Sequence, residues 1–150
     1  MFESCRAHAS TRARQGRVRP VVSPNRVWDD LLVAVTVLLV DDHAGFRASA
    51  RSLLELDGFR VVGEAADAAS ALGLARELAP ELVLLDVALP DASGFEVAER
   101  LAGSSSRVIL TSSRAQEDLG RRVRRSGALG FVSKDHLSGA ALCALLDTAR

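Results

Sequence analysis

The segment TVLLVDD (residues 36–42) decides the fold. Its first five residues are all β-branched or leucine, which is typical of a strand buried on both faces of a parallel sheet. Two aspartates follow directly. From Ala44 to Leu56 apolar side chains then recur at helical spacing, and Asp57-Gly58 ends that stretch. The segment therefore predicts a buried strand, an acidic strand end and a helix, in that order.

The same alternation of strand and helix repeats along the chain. The predicted strands are residues 36–40, 60–65, 82–86, 107–111 and 129–133, and the predicted helices are residues 44–56, 68–78, 94–101, 116–126 and 137–149. Five strands, each followed by a helix, predict an α/β fold. Its sheet is parallel, its crossovers are right-handed, and helices cover both faces. We expect one domain over residues 36–150.

Residues 1–35 differ from the rest of the chain. They carry six arginines against three acids and show little apolar periodicity, so we expect a disordered basic extension. A misassigned start site would also explain them. The longest apolar run, residues 31–40, is about half as long as a membrane-spanning helix, so no membrane segment is expected. The net charge of zero argues against general affinity for nucleic acids, and the two distant cysteines favour the reducing cytoplasm.

The predicted strand ends carry a distinctive set of side chains. Asp41 and Asp42 follow the first strand, Asp86 ends the third, Thr111 ends the fourth, and Lys134 follows the fifth. Ligands of parallel α/β sheets bind at these carboxyl ends. Clustered carboxylates suit Mg²⁺, and an ammonium with a hydroxyl suits phosphoryl oxygens. The set predicts an aspartyl-phosphate site with a carboxylate nucleophile and a metal.

Four motifs identify a family at this point. The segments VLLVDDH (37–43), LVLLDVALPDASGFE (82–96), VILTSS (108–113) and GALGFVSK (127–134) resemble the receiver domain of bacterial two-component response regulators. The resemblance covers residues 36–149. It implies a flavodoxin-like (βα)5 three-layer sandwich whose five parallel strands lie in the order 2-1-3-4-5.

The resemblance also implies a role for each site residue. Asp86 would accept the phosphoryl group; Asp42, Asp86 and the backbone carbonyl of Ala88 would bind Mg²⁺ directly, and Asp41 mainly through water. Lys134 would pair with the phosphoryl group. Thr111 would move to hydrogen-bond the phosphate, and Phe131 would swing inward in response. We expect Thr111 and Phe131 to lie on one face of the sheet.

The expected partners follow from the same resemblance. A histidine kinase would donate the phosphoryl group, and the face formed by helix 4, strand 5 and helix 5 would bind a downstream protein or a second copy. The run KDHLSGAAL (134–142) resembles the receivers of NarL/LuxR-like regulators. No recognition helix follows it, so we expect a receiver without a DNA-binding output domain. Such a receiver catalyses only its own phosphorylation and dephosphorylation.

Three alternatives stay open at this stage. The first is an aspartyl-phosphate phosphotransferase or phosphatase of the haloacid-dehalogenase type, which would want an Asp-x-Asp pattern after the first strand. The second is a pseudo-receiver that binds partners without being phosphorylated. The third concerns Arg121, Arg122, Arg124 and Arg125, which form either a partner surface or a solvated helix paired with the chain's own acids.

Overall fold

The structure is a computed structural model that describes residues 34–113 and 119–148. The predicted extension over residues 1–35 lies almost entirely outside this range. The strands are β1 (Thr36–Val40), β2 (Arg60–Ala65), β3 (Leu82–Asp86), β4 (Arg107–Ser112) and β5 (Gly130–Ser133). The helices are α1 (Ala44–Leu56), α2 (Ala68–Leu78), α3 (Gly94–Leu101), α4 (Leu119–Ser126) and α5 (Gly139–Thr148).

The five strands form one parallel sheet in the order β2-β1-β3-β4-β5. The predicted fold class is confirmed, including the strand order. Because β1 lies between β2 and β3, the chain reverses its direction of travel across the sheet there. This switch point opens a crevice at the carboxyl ends of β1 and β3.

Helices cover both faces of the sheet and bury two separate cores. On one face α1 and α5 pack through side chains such as Leu54 and Leu142. On the other face α2, α3 and α4 pack through side chains such as Ala71, Phe95 and Val123. The central strands β1 and β3 are almost wholly buried between the two helical layers, which explains their largely apolar composition, whereas the edge strands β2 and β5 are partly exposed.

The last helix begins two residues later than predicted. Lys134–His136 form a single 3₁₀ turn, and Leu137 is extended, so α5 starts at Gly139. The Oγ of Ser138 accepts a hydrogen bond from the Ala141 amide (3.0 Å), which caps the helix. The predicted residues 116–118 and 149 lie outside the described range. Within that range no helix has the length and apolar character that a bilayer crossing requires.

Candidate functional site

Asp41 and Asp86 meet at the switch point of the sheet. Val40 of β1 pairs with Leu85 of β3, so the residues that follow them lie side by side. Both aspartates are buried, with exposed fractions of 1% for Asp41 and 5% for Asp86. Two carboxylates at this depth repel one another unless a cation lies between them.

Carboxylate and imidazole groups cluster around this pair. Asp41, Asp42, His43 and Asp86 each offer a ligand atom, and these atoms lie within 4.8 Å of one another. Asp42 and His43 are exposed at the mouth of the crevice, whereas the other two form its floor. Oxygen donors on a partly open site fit Mg²⁺, which keeps several waters when it binds. The residues present therefore fit the predicted ion.

Lys134 reaches the same two buried carboxylates from the end of β5. Its Nζ lies 2.6 Å from Asp41 Oδ2 and 3.3 Å from Asp86 Oδ2. Burial by itself lowers the pKa of Lys134, but the hydrogen bond to Asp41 and the charge of Asp86 outweigh it and raise the pKa. The ammonium also lies 4.6 Å from the ring centroid of Phe46 on α1. The lysine is therefore held charged between two acids and an aromatic face.

Asp86 is the less firmly bound of the two buried acids. Burial and the neighbouring charge of Asp41 raise its pKa, while the Ala88 amide, 3.3 Å from Oδ1, and Lys134 oppose the shift. Asp41 is held more tightly, because its Oδ1 accepts a hydrogen bond from the His43 amide (2.8 Å) and its Oδ2 faces the ammonium. Asp86 thus has the carboxylate that is more available for chemistry.

The loop after Asp86 is packed against its own strand end. The amide of Gly94 donates to the Val87 carbonyl (2.8 Å), and a bridge joins Ala88 to Ser93. A Cβ on residue 94 would clash with the Asp86 carbonyl oxygen, so only glycine fits there. The Ala88 amide is the part of that residue directed at Asp86, and a role of its carbonyl in metal binding stays a prediction.

Asp91, in the same loop, fastens it to α2. Its two carboxylate oxygens accept hydrogen bonds from the amides of Ala68 (2.8 Å) and Ala69 (3.1 Å) at the start of that helix. These bonds, the Ala68 amide first, lower the pKa of Asp91. The loop that follows Asp86 is therefore anchored at both Gly94 and Asp91.

Thr111 and Phe131 do not share a face of the sheet, so that expectation is wrong. Leu110 pairs with Phe131, and Thr111 pairs with Val132. Paired residues project to the same face and successive residues alternate. Phe131 accordingly packs against the core under α2, α3 and α4, whereas Val132 belongs to the core under α1 and α5. β5 begins at Gly130, one residue later than predicted. The pairing of β4 with β5 places Phe131 opposite Leu110, one residue before Thr111, and therefore on the other face from Thr111.

Thr111 nevertheless lies next to the site. It pairs directly with Asp86 in the sheet, its side chain is buried, and its carbonyl accepts a hydrogen bond from the Val87 amide (2.9 Å). Phe131 is half-buried, beside the inner face of α4. The structure therefore brings Asp41, Asp42, Asp86 and Lys134 together, and it places Thr111 beside them and Phe131 on the opposite face.

Two residues of the site had no role in the sequence prediction. His43, whose Nδ1 lies 3.2 Å from Asp42 Oδ1, is part of the VLLVDDH motif and could have been considered there. Arg47 donates a hydrogen bond to the Asp41 carbonyl, and no sequence motif around Arg47 predicts that contact.

Comparisons with known proteins agree with this geometry. The family model of the response regulator receiver domain matches residues 37–146. The signal receiver domain of NarL from Mycobacterium tuberculosis is 34% identical, with a TM-score of 0.69 over 77% of this chain and 96% of that one. A LuxR-family two-component response regulator from Aurantimonas sp. SI85-9A1 is 30% identical, with a TM-score of 0.69 over 77% of this chain and 84% of that one.

Curated relatives point the same way. Response regulator UvrY of Escherichia coli K12 is 36% identical over 103 residues, which make up 67% of this chain and 47% of UvrY. BvgA of Bordetella pertussis, whose name describes a transcription regulator, is 41% identical over 100 residues, or 65% of this chain and 48% of BvgA. The chain spans about half the length of the curated relatives that it matches. It belongs to the receiver domain family of two-component response regulators.

Proposed function

We propose that Asp86 accepts a phosphoryl group from a histidine kinase and that Mg²⁺ assists at the same site. The observation that carries this proposal is the buried Asp86 carboxylate at the switch point, with its pKa raised and Lys134 3.3 Å away. Asp41 is the less suitable nucleophile, because the donors at its two oxygens lie at 2.8 Å and 2.6 Å, whereas those at the Asp86 oxygens both lie at 3.3 Å. Asp42 is exposed, and within the described residues no lysine or arginine pairs with its carboxylate.

The ion would be held by Asp42, Asp86 and the Ala88 carbonyl, with Asp41 acting mainly through water. When bound, Mg²⁺ supplies positive charge that offsets the charge of the phosphoryl oxygens. Asp86 attacks phosphorus in line through one carboxylate oxygen. The bond from phosphorus to the donor breaks, and its electron pair leaves with the donor group, which is an imidazole nitrogen of a kinase histidine or the acetate of acetyl phosphate.

Lys134 has a second task in this step. Its ammonium holds the apo site together by binding Asp41 and Asp86, and it turns to a phosphoryl oxygen once Asp86 is esterified. A phosphoryl group carries about −1.5 to −2 charges, so it attracts the Lys134 ammonium more strongly than the single charge of Asp41 does. The Thr111 hydroxyl, beside Asp86 on β4, then binds another phosphoryl oxygen and shifts the end of β4.

The output surface that we propose is the face formed by α4, β5 and α5. Four arginines of α4 are exposed, namely Arg121, Arg122, Arg124 and Arg125. Within the described part of the chain none of them pairs with a carboxylate, and Arg122 instead stacks 4.1 Å over the Phe95 ring. These exposed positive charges favour an acidic protein surface as partner. Movement of Phe131 under α4 would couple this surface to the phosphoryl group.

Phosphorylation from a small donor tests the proposal. The protein is incubated with acetyl phosphate and Mg²⁺, and its intact mass is followed beside Asp86→Asn and the exposed control Asp135→Asn. We expect one phosphoryl adduct on the wild type and on the control, and none on Asp86→Asn. Steady turnover of phosphate esters would favour a haloacid-dehalogenase-type enzyme, and no adduct on the wild type would favour a pseudo-receiver.

A further inference from the structure

Arg47, in the second turn of α1, joins the acidic strand end to the edge of the sheet. Its Nη1 donates a hydrogen bond to the Asp41 carbonyl (2.5 Å), and its Nε donates one to Glu64 Oε1 on β2 (2.9 Å). The arginine side chain is only 18% exposed, so both contacts lie in a partly desolvated position. One guanidinium thus bridges the backbone of the site and a carboxylate outside it.

The carbonyl that Arg47 binds belongs to the peptide between Asp41 and Asp42. β1 ends at Val40, and the Asp41 amide still donates to the Ala65 carbonyl (3.0 Å). The Asp41 carbonyl lies beyond the last residue pair of β1 and β2, and it accepts its hydrogen bond from Arg47. A rotation of this peptide would move both neighbouring carboxylates, because they flank it. Arg47 therefore fixes the peptide whose orientation sets the positions of the Asp41 and Asp42 carboxylates.

We propose that Arg47 is a positioning residue for the metal and phosphoryl site, with Glu64 as the group that orients its guanidinium. The inference rests on the proposed function, since it concerns the same acids. Groups that orient metal ligands from outside the ligand set commonly change metal affinity by about 10- to 100-fold when they are removed. We expect an effect at the lower end of that range, because Arg47 holds backbone and does not touch a ligand atom.

Arg51 supplies a matched control one helical turn later. It binds the same carboxylate, with Nη1 2.6 Å from Glu64 Oε2, and it also approaches Glu55 (3.6 Å). Its other hydrogen bond goes to the Val61 carbonyl, away from Asp41. Loss of Arg51 therefore removes an ion pair of the same cluster but leaves the Asp41 peptide bound.

The experiment compares Arg47→Gln and Arg51→Gln in the full chain. Mg²⁺ affinity is measured by isothermal titration calorimetry, and urea unfolding reports stability. We expect Arg47→Gln to raise the Kd for Mg²⁺ about tenfold, and Arg51→Gln to leave it within about twofold. Equal Mg²⁺ affinities in the two variants, whatever their stabilities, would overturn the inference.

A second pair of variants keeps the test decisive if Arg47→Gln does not fold. Lysine retains the charge but cannot reach the Asp41 carbonyl and Glu64 together with one planar group. Arg47→Lys should therefore weaken Mg²⁺ binding several-fold while Arg51→Lys does not, and no difference between them would overturn the inference. Failure of the proposed function can be told apart from failure of this inference. In the first case the wild type itself forms no phosphoryl adduct on Asp86; in the second the adduct forms, but the Arg47 variants bind Mg²⁺ as the Arg51 variants do.

Discussion

Lys134 lies closer to Asp41 than to Asp86: its Nζ is 2.6 Å from the first carboxylate and 3.3 Å from the second. The only lysine of the chain therefore neutralises the acid that we do not assign as the phosphoacceptor. An ion that enters the site has to share Asp41 and Asp86 with this ammonium. Before phosphorylation, the Mg²⁺ ion and the Lys134 ammonium consequently compete for the same two carboxylates.

Removal of the ammonium should tighten metal binding and slow phosphorylation. In Lys134→Gln the buried carboxylates lose the cation that offsets their repulsion, so Mg²⁺ gains about tenfold in affinity, or about 1.4 kcal/mol. The same variant lacks the donor for the phosphoryl oxygen, so its rate with acetyl phosphate should fall. Calorimetry and intact mass measure the two effects. Weaker Mg²⁺ binding in the variant would contradict this account.

Arginine should not replace the lysine in switching. Lys134→Arg keeps the charge, but a planar guanidinium differs in size and geometry from a compact ammonium between two acids. We expect an altered partner response at equal phosphorylation, measured by binding to a downstream partner once one is identified by co-purification. Normal phosphorylation together with a normal partner response would count against the assigned role.

Gly94 should be essential for the loop that follows Asp86. In Gly94→Ala the new Cβ meets the Asp86 carbonyl oxygen and the Val87 Cα, which are backbone atoms and cannot turn aside. The free energy of unfolding should fall by about 1–3 kcal/mol or more, and phosphorylation should slow. Gly73→Ala on α2 is the control, since among the described residues no atom outside its chain neighbours and the nearby helix backbone lies within 4 Å of its Cβ position. That control should gain about 0.5–1 kcal/mol in urea unfolding.

The charge of Asp86 should cost stability at neutral pH. Burial and Asp41 raise the pKa of Asp86 above its ordinary value of 3.8, so the ionised form disfavours the folded state. Asp86→Asn should be more stable than the wild type at pH 7, by on the order of 1 kcal/mol. The advantage should shrink as the pH falls through the raised pKa and vanish below the ordinary one. Urea unfolding at several pH values without Mg²⁺ checks this, and a variant less stable at pH 7 would contradict it.

Much of this fold could be predicted because its signals are local. The central strands β1 and β3 are almost unbroken apolar runs, and each acid or lysine of the site ends a strand or comes within two residues of its end. Parallel geometry then suffices to bring Asp41, Asp86 and Lys134 together, since all carboxyl ends lie at one edge. The strand order came from the resemblance to receiver domains.

What could not be predicted depends on pairing between distant segments. Phe131 pairs with Leu110 and not with Thr111, so a register difference of one residue decides whether the two side chains share a face. A shift of one residue between two strands moves every side chain of the shifted strand to the opposite face. The contact between Glu64 and Arg47 joins residues 17 positions apart and leaves no pattern in either segment. The start of α5 likewise depends on Asp57, which accepts a hydrogen bond from the Gly139 amide (2.8 Å) across 82 positions.

The site of phosphorylation is the most direct test of the central claim. Protein treated with acetyl phosphate and Mg²⁺ is reduced with borohydride, which converts an aspartyl phosphate to homoserine, and its peptides are sequenced by mass spectrometry. We predict homoserine at residue 86 alone, and none when Mg²⁺ is withheld. Homoserine at residue 41 or 42 in place of residue 86, or no conversion despite a phosphoryl adduct, would contradict the assignment of Asp86 as the phosphoacceptor.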